Sequence, residues 1–114
     1  MRNDDKVQTT LGEHDKQRPQ RPLFTLGHTV ATPAALRTLA EAGIQPSSLL
    51  QRHQCGDFGE LVHEDKASNL EAIQTGGRLL SSYMAGVQRV WVITEAEDDD
   101  GVRSSTCLLL PEEY

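Results

Sequence analysis

Two cysteines, Cys55 and Cys107, are all that the 114 residues carry. So few exclude a disulfide framework, and their isolation matches no paired-cysteine zinc pattern. A reduced, cytoplasmic chain is expected. Aromatic residues make up only 4%, so a core has to be built largely from aliphatic side chains. No apolar run approaches the roughly 20 residues that span a bilayer. The start, Met1-Arg2-Asn3-Asp4-Asp5-Lys6, is polar where a secretory leader would be apolar. Neither membrane insertion nor secretion is expected. Positive charge is also short, with 11 Lys and Arg against 17 Asp and Glu, a net charge of −6. The deficit is uneven. Residues 1–22 hold five basic and four acidic residues, and residues 23–114 hold six and thirteen. A body this acidic disfavours direct binding to nucleic acid or an anionic membrane. It suits either solubility or a partner with a basic surface.

The length fits one domain with one modest core. Residues 1–22 are polar and close on Gln17-Arg18-Pro19-Gln20-Arg21-Pro22, where two prolines resist helix and sheet continuation. Such a segment buries too little to offset its ordering entropy. A flexible tail at 1–22 and a single α+β domain at 23–114 are therefore expected.

Leu23 to Ala31 reads as a short strand or an extended entry. Thr32-Pro33 is a helix start, a hydroxyl N-cap followed by proline in the first helical position. The spacing predicts a helix over 33–42 with Leu36, Leu39 and Ala40 on one face and Gly43 as its stop. Pro46 opens a second helix to about His53, buried through Leu49 and Leu50. A third runs from about His63 to Thr75, with Ala67, Leu70, Ile73 and Leu61 facing inward. Its first-turn acids suit the positive end of the helix dipole. The period then changes to alternation, which marks strands at 78–84, 89–95 and 102–110. Short connections favour antiparallel neighbours. The expected fold is three helices packed on a C-terminal three-stranded antiparallel β-meander.

The stretch His53-Gln54-Cys55-Gly56-Asp57-Phe58-Gly59-Glu60-Leu61 draws the eye, because its glycines imply a shaped loop between rigid elements. His53 and Cys55, with His63, Asp57 or Glu60, are metal-ligand types. A His-x-Cys pair nevertheless lacks the spacing of a zinc site. His53, Asp57, Glu60 and Asp65, with Cys55 as nucleophile, would serve a hydrolase or nuclease only if they converged within hydrogen-bond reach. The simpler role for Asp57 is to accept backbone N–H bonds in the turn. Gly76-Gly77-Arg78 follows a helix rather than opening one, so it does not cradle phosphate. Leu26-Gly27-His28 matches no dinucleotide fingerprint. As a DNA-recognition helix, the second helix offers only Gln51, Arg52 and Gln54. No cofactor and no metal is expected, and catalytic residues stay unassigned.

An ordered series of motifs does resemble a known family. Thr32-Pro-Ala-Ala-Leu36, His53-Gln-Cys-Gly-Asp-Phe-Gly-Glu-Leu61, Asp65-Lys-Ala-Ser-Asn69, Arg78-Leu-Leu-Ser-Ser-Tyr83, Val90-Trp-Val-Ile-Thr-Glu95 and Leu108-Leu-Leu-Pro-Glu-Glu-Tyr114 look like the short "plasmid-related" proteins of bacterial plasmids and integrative elements. The resemblance spans about residues 26–114. It departs at Phe58, where that family tends to carry tryptophan, and at Val62-His63, near which it tends to be acidic. It departs again at Glu97–Asp100, which enlarges a shorter hairpin turn. What the resemblance implies is a mobile-element setting, in which small proteins often counter host defence.

The expected function is that of a non-catalytic protein-binding module, an inhibitor of restriction or CRISPR machinery in that setting. Asp57, Phe58, Glu60, Glu97, Asp98, Asp99 and Asp100 would meet the basic surface of a nucleic-acid-binding complex. The alternatives are a small enzyme built on residues 53–65 and a plain oligomerisation module.

Overall fold

A computed structural model describes residues 21–114. The expected tail at 1–22 lies outside them except for Arg21 and Pro22. In chain order the elements are β1 (His28–Ala31), α1 (Pro33–Glu41), α2 (Pro46–Gln54), α3 (His63–Thr75), β2 (Leu79–Ala85), β3 (Gln88–Thr94), β4 (Ser105–Leu109) and a 3-10 turn (Pro111–Glu113).

The expected three-stranded meander is corrected. The sheet has four strands in the order β1-β4-β3-β2, and β1 runs parallel to β4. Val30 pairs with Cys107 and Ala31 with Leu108. The parallel partner lies some 77 residues along the chain, so no local pattern could announce it. The rest is the expected antiparallel arrangement, with Leu79 opposite Thr94 and Trp91 opposite Leu109.

Thr32 starts α1 as read, its hydroxyl accepting from the Ala35 N–H at 3.1 Å. The inward line of α1 is Ala35 and Leu39, whereas Leu36 and Ala40 face solvent. On α2, Leu49 and His53 are buried. These helices cover one sheet face, where Ala35, Leu39 and Leu49 pack with Tyr83, Val90, Val92 and Leu108 in the main core. Fully burying a side chain of that size is worth about 1.5–3 kcal/mol. Helix α3 departs in part from expectation, although Ile73 and Leu61 do pack against the second core cluster. Ala67 and Leu70 are exposed, and the buried positions are Asn69 and Ala72. The cause is polar. Asn69 Nδ2 donates to the Leu80 carbonyl at 2.7 Å, and its Oδ1 accepts from the Leu80 N–H at 3.2 Å. That side-chain amide pairs with β2 as a neighbouring strand would, and it turns the helix to bring Ala72 onto Leu79 and Phe58. No helix among the described residues is long and apolar enough to cross a membrane.

Candidate functional site

The loop at 53–61 is built as sheet-edge cover. Ser82 donates its N–H to the Phe58 carbonyl at 3.1 Å, and Glu60 donates its N–H to the Ser82 carbonyl at 2.6 Å. Residues 58–60 thus lie parallel to β2 and satisfy its outer edge at Ser82, which would otherwise invite foreign strands. Gly59 makes this approach feasible. Its φ is 76°, and a Cβ there would run into the Ser82 carbonyl and the Tyr83 ring. Asp57 serves the same turn. Its carboxylate takes the Arg52 Nε–H at 2.6 Å and the Gly59 N–H at 3.2 Å. The Arg52 hydrogen bond holds that carboxyl below its usual range, with the Gly59 bond adding to it. Tyr83 donates its hydroxyl to the Asp57 carbonyl at 2.6 Å, and burial pushes the phenol up to about 12. Phe58 is buried in the second core cluster and is not presented to a partner.

His53 points inward. Its Nδ1 lies 2.6 Å from Ser81 Oγ and its Nε2 2.9 Å from Thr94 Oγ1. Thr94 Oγ1 in turn meets Thr106 Oγ1 at 2.7 Å, and Thr106 donates to the Leu26 carbonyl at 2.8 Å. The carbonyl can only accept, and each hydroxyl has one proton, which fixes the direction of the chain. Thr106 gives to Leu26, Thr94 gives to Thr106, His53 Nε2–H gives to Thr94, and Ser81 gives to Nδ1. A neutral imidazole with its proton on Nε2 completes every bond. Burial, with the Arg103 charge as a lesser cause, brings the His53 pKa down to about 4. The ring also stands edge-on to Phe24, at 5.1 Å between centroids.

The enzyme-like constellation is therefore not assembled. Both His53 nitrogens are committed inside the core. Cys55 lines a shallow depression of about 450 Å³ with Ser48, Gln51, Arg52 and Asp57, and His53 is not part of it. Glu60 and Asp65 do share a groove with Leu61, Leu80, Arg89 and Trp91, but neither His53 nor Asp57 reaches that groove. Among the described residues, no three of His, Cys, Asp or Glu gather as a metal ion requires.

The acidic hairpin between β3 and β4 carries a more defined arrangement. Asp98 Oδ1 accepts from the N–H groups of Asp100 at 2.8 Å and Val102 at 2.9 Å. The Asp98 N–H bonds the Val102 carbonyl, and the Gly101 N–H bonds the Asp98 carbonyl, each at 2.9 Å. Glu97 donates its N–H to the Gly76 carbonyl at 2.8 Å, tying the tip to the end of α3. Behind it sits Arg103, 2% exposed. Its guanidinium donates to the carbonyls of Gly77 at 2.6 Å, Glu95 at 3.0 Å and Ala72 at 3.2 Å. Glu95, Glu97, Asp98, Asp99 and Asp100 are all exposed on this clamped tip. The side chains of Asp99 and Asp100 make no hydrogen bond or ion pair among the described residues.

Asp57 and Glu60 do not join that tip. Gly59 sits opposite Ser82, whereas the hairpin leaves the sheet beyond the Leu79–Thr94 pair. Three residues of β2 separate the two levels, about 10 Å of strand. Sequence reasoning missed Arg103. It also missed the contacts of Tyr114, whose hydroxyl accepts from Arg78 Nη1 at 2.6 Å and whose ring meets that of Trp91 at 5.7 Å. One signal for Arg103 was present, a lone arginine between an acidic turn and a strand.

No protein-family model matches the chain, and neither a curated protein nor a solved structure shows significant similarity to it.

Proposed function

We propose that this chain is a non-catalytic protein-binding module that presents the Glu97–Asp100 hairpin to the basic surface of a protein partner. The observation that carries this reading is the fixed backbone of the tip. Asp98 spends its carboxylate holding the turn, Arg103 anchors the base, and the side chains of Asp99 and Asp100 are exposed with no hydrogen-bond or ion-pair partner among the described residues. Charges already held in place cost little ordering entropy on binding, and like-signed clusters speed encounter with an oppositely charged surface. In the mobile-element setting that the resemblance implies, the partner is a nucleic-acid-binding defence complex and the effect is inhibition. The structural use of His53 and Asp57, which removes them from reaction chemistry, supports a binding role over a catalytic one.

The test is capture of partners by the tagged full chain at low and high salt, with D99N/D100N alongside. The expected result is a stoichiometric complex that salt weakens, because exposed charges are screened over about 8–10 Å. The double variant should lose about ten-fold or more in affinity at unchanged melting temperature. Equal affinity of the variant and the parent would overturn the reading.

A further inference from the structure

The two edges of the sheet are treated differently. The β2 edge is covered at Leu80 by the Asn69 amide and at Ser82 by residues 58–60, while nothing among the described residues hydrogen-bonds to the outer edge of β1. His28 and Thr32 direct their N–H groups to β4, onto the carbonyls of Ser104 and Leu108, each at 3.0 Å. Backbone groups alternate along a strand, so Thr29 and Ala31 direct both N–H and C=O outward. Natural edges are protected by shortness, charge, proline or a bulge. The β1 strand, His28-Thr29-Val30-Ala31, is short but carries none of the other three.

The surroundings of this edge are apolar. Thr29, Val30 and Ala31 line a shallow depression with Pro46, Leu50 and Leu108. A second depression, formed by Leu36, Ala40, Gly43, Ile44, Gln45 and Pro46, meets it at Pro46. Val30 is 52% exposed and Leu36 45%. No charged residue lines either depression, although the described body is strongly acidic.

We infer that β1 is a self-association edge, on which a second copy of this chain adds its own β1 antiparallel to extend the sheet across a two-fold axis. The hydrogen-bond pattern accommodates a second copy. With Val30 on the dyad, Thr29 of each chain faces Ala31 of the other, and the four outward N–H groups meet four outward C=O groups. A two-fold interface needs such self-complementarity, and β1 meets that need. Charge points the same way. Two copies of an acidic domain repel each other everywhere except through an uncharged strip, and this strip is uncharged. Stable dimers bury about 1,200 Å² or more in total, beyond the reach of a four-residue strand alone. The apolar residues of α1 and α2 beside the edge supply the rest, Leu36, Pro46 and Leu50 among them.

The experiment is sedimentation equilibrium of the full chain from low micromolar to near-millimolar concentration, with two variants. Wild type is expected to approach twice the 12.6 kDa chain mass as concentration rises. Val30→Lys sets like charges face to face at the axis and should weaken the dimer about ten-fold or more. Its circular dichroism should stay that of the parent, and its melting temperature should match the parent's at concentrations where both are monomeric, since the site is exposed. In a background with Cys55→Ser and Cys107→Ser, Val30→Cys should form a disulfide-linked dimer under mild oxidant. Facing residues of a non-hydrogen-bonded pair have Cα atoms about 4.5 Å apart, within disulfide reach. Thr29→Cys, off the axis, should not. A wild type that stays monomeric throughout overturns the inference, as does a dimer that Val30→Lys leaves intact. Equal crosslinking of both cysteine variants also overturns it, because the register would then be wrong.

Discussion

His53 and Thr94, 41 positions apart, are joined across the core by an Nε2–Oγ1 hydrogen bond of 2.9 Å. That bond is one link in a chain from Ser81 to the Leu26 carbonyl that ties α2, three elements of the sheet region and the entry segment together. Because each donor and acceptor is buried, removing the imidazole leaves the Ser81 hydroxyl without its acceptor and Thr94 Oγ1 without its donor, at about 1–3 kcal/mol each. His53→Leu is expected to lower unfolding free energy by about 3 kcal/mol in urea titrations, at unchanged m-value. A loss below about 0.5 kcal/mol would show that the chain contributes nothing net.

The same histidine should make the protein acid-sensitive above the carboxylate range. Its folded pKa is lowered to about 4, against about 6.5 in an unfolded chain. Between those values the unfolded state binds a proton that the folded state refuses, so stability rises with pH there. As pH falls from about 6.5 to 4, on the order of 3 kcal/mol should be lost, with no further loss from this group at lower pH. Asp57 has its pKa lowered, so its contribution is present above its unfolded value and disappears only at more acidic pH. Unfolding titrations at pH 7 and pH 5 on wild type and His53→Leu separate the effects. The wild type should show the drop, and the variant should lack the share due to imidazole. Identical pH slopes in the two proteins would refute the assignment.

At the covered edge of the sheet, the glycine should matter more than the acid. Asp57 makes a half-exposed ion pair with Arg52 and one turn bond, and exposed pairs contribute about 0.2–1 kcal/mol. Asp57→Ala should therefore cost about 1 kcal/mol. Gly59→Ala introduces a methyl where the Ser82 carbonyl stands, at a φ of 76°. It should cost about 3 kcal/mol and raise amide exchange at Ser82 and Glu60. Comparable melting temperatures for the two variants would show that residues 58–60 do not depend on the close approach.

The local grammar of the chain was legible because its signals are local. Thr32-Pro33 and Pro46 start helices, Gly76 stops one with a φ of 85°, and alternation marks β2, β3 and β4. Non-local pairings were not legible. The parallel pairing of β1 with β4 depends on residues about 77 apart, and Leu23 to Ala31 alone fits a strand or an entry segment equally well. His53 read as a reactive group because its partners lie 28 and 41 residues away. Their pattern nevertheless held a clue. Ser81 lies between Leu79 and Tyr83, Thr94 follows Val90 and Val92 in the same phase, and Thr106 precedes Leu108. All three hydroxyls therefore occupy core-facing positions of their strands, and buried hydroxyls require a buried partner. For the hairpin, sequence showed the charge of Glu97–Asp100 but not that Asp98 turns inward to hold the turn.

Arg103 should prove to be the keystone of that hairpin, and its geometry says why lysine cannot replace it. One nitrogen serves Gly77 and Glu95 while another reaches Ala72 at the end of α3, where a cation also suits the helix dipole. A lysine ammonium is a point charge without the planar fork that reaches these carbonyls together. Arg103→Lys should lower stability by about 2–3 kcal/mol and speed amide exchange from Glu97 to Val102 ahead of the core strands. The Glu97 carboxylate lies 3.9 Å from the guanidinium and is 39% exposed, so Glu97→Gln should change stability by less than about 1 kcal/mol. Hydrogen exchange with urea unfolding on both variants distinguishes the roles. If Arg103→Lys keeps wild-type stability and hairpin protection, the tip is held by its own turn bonds. Its rigidity would then owe nothing to the clamp beneath it.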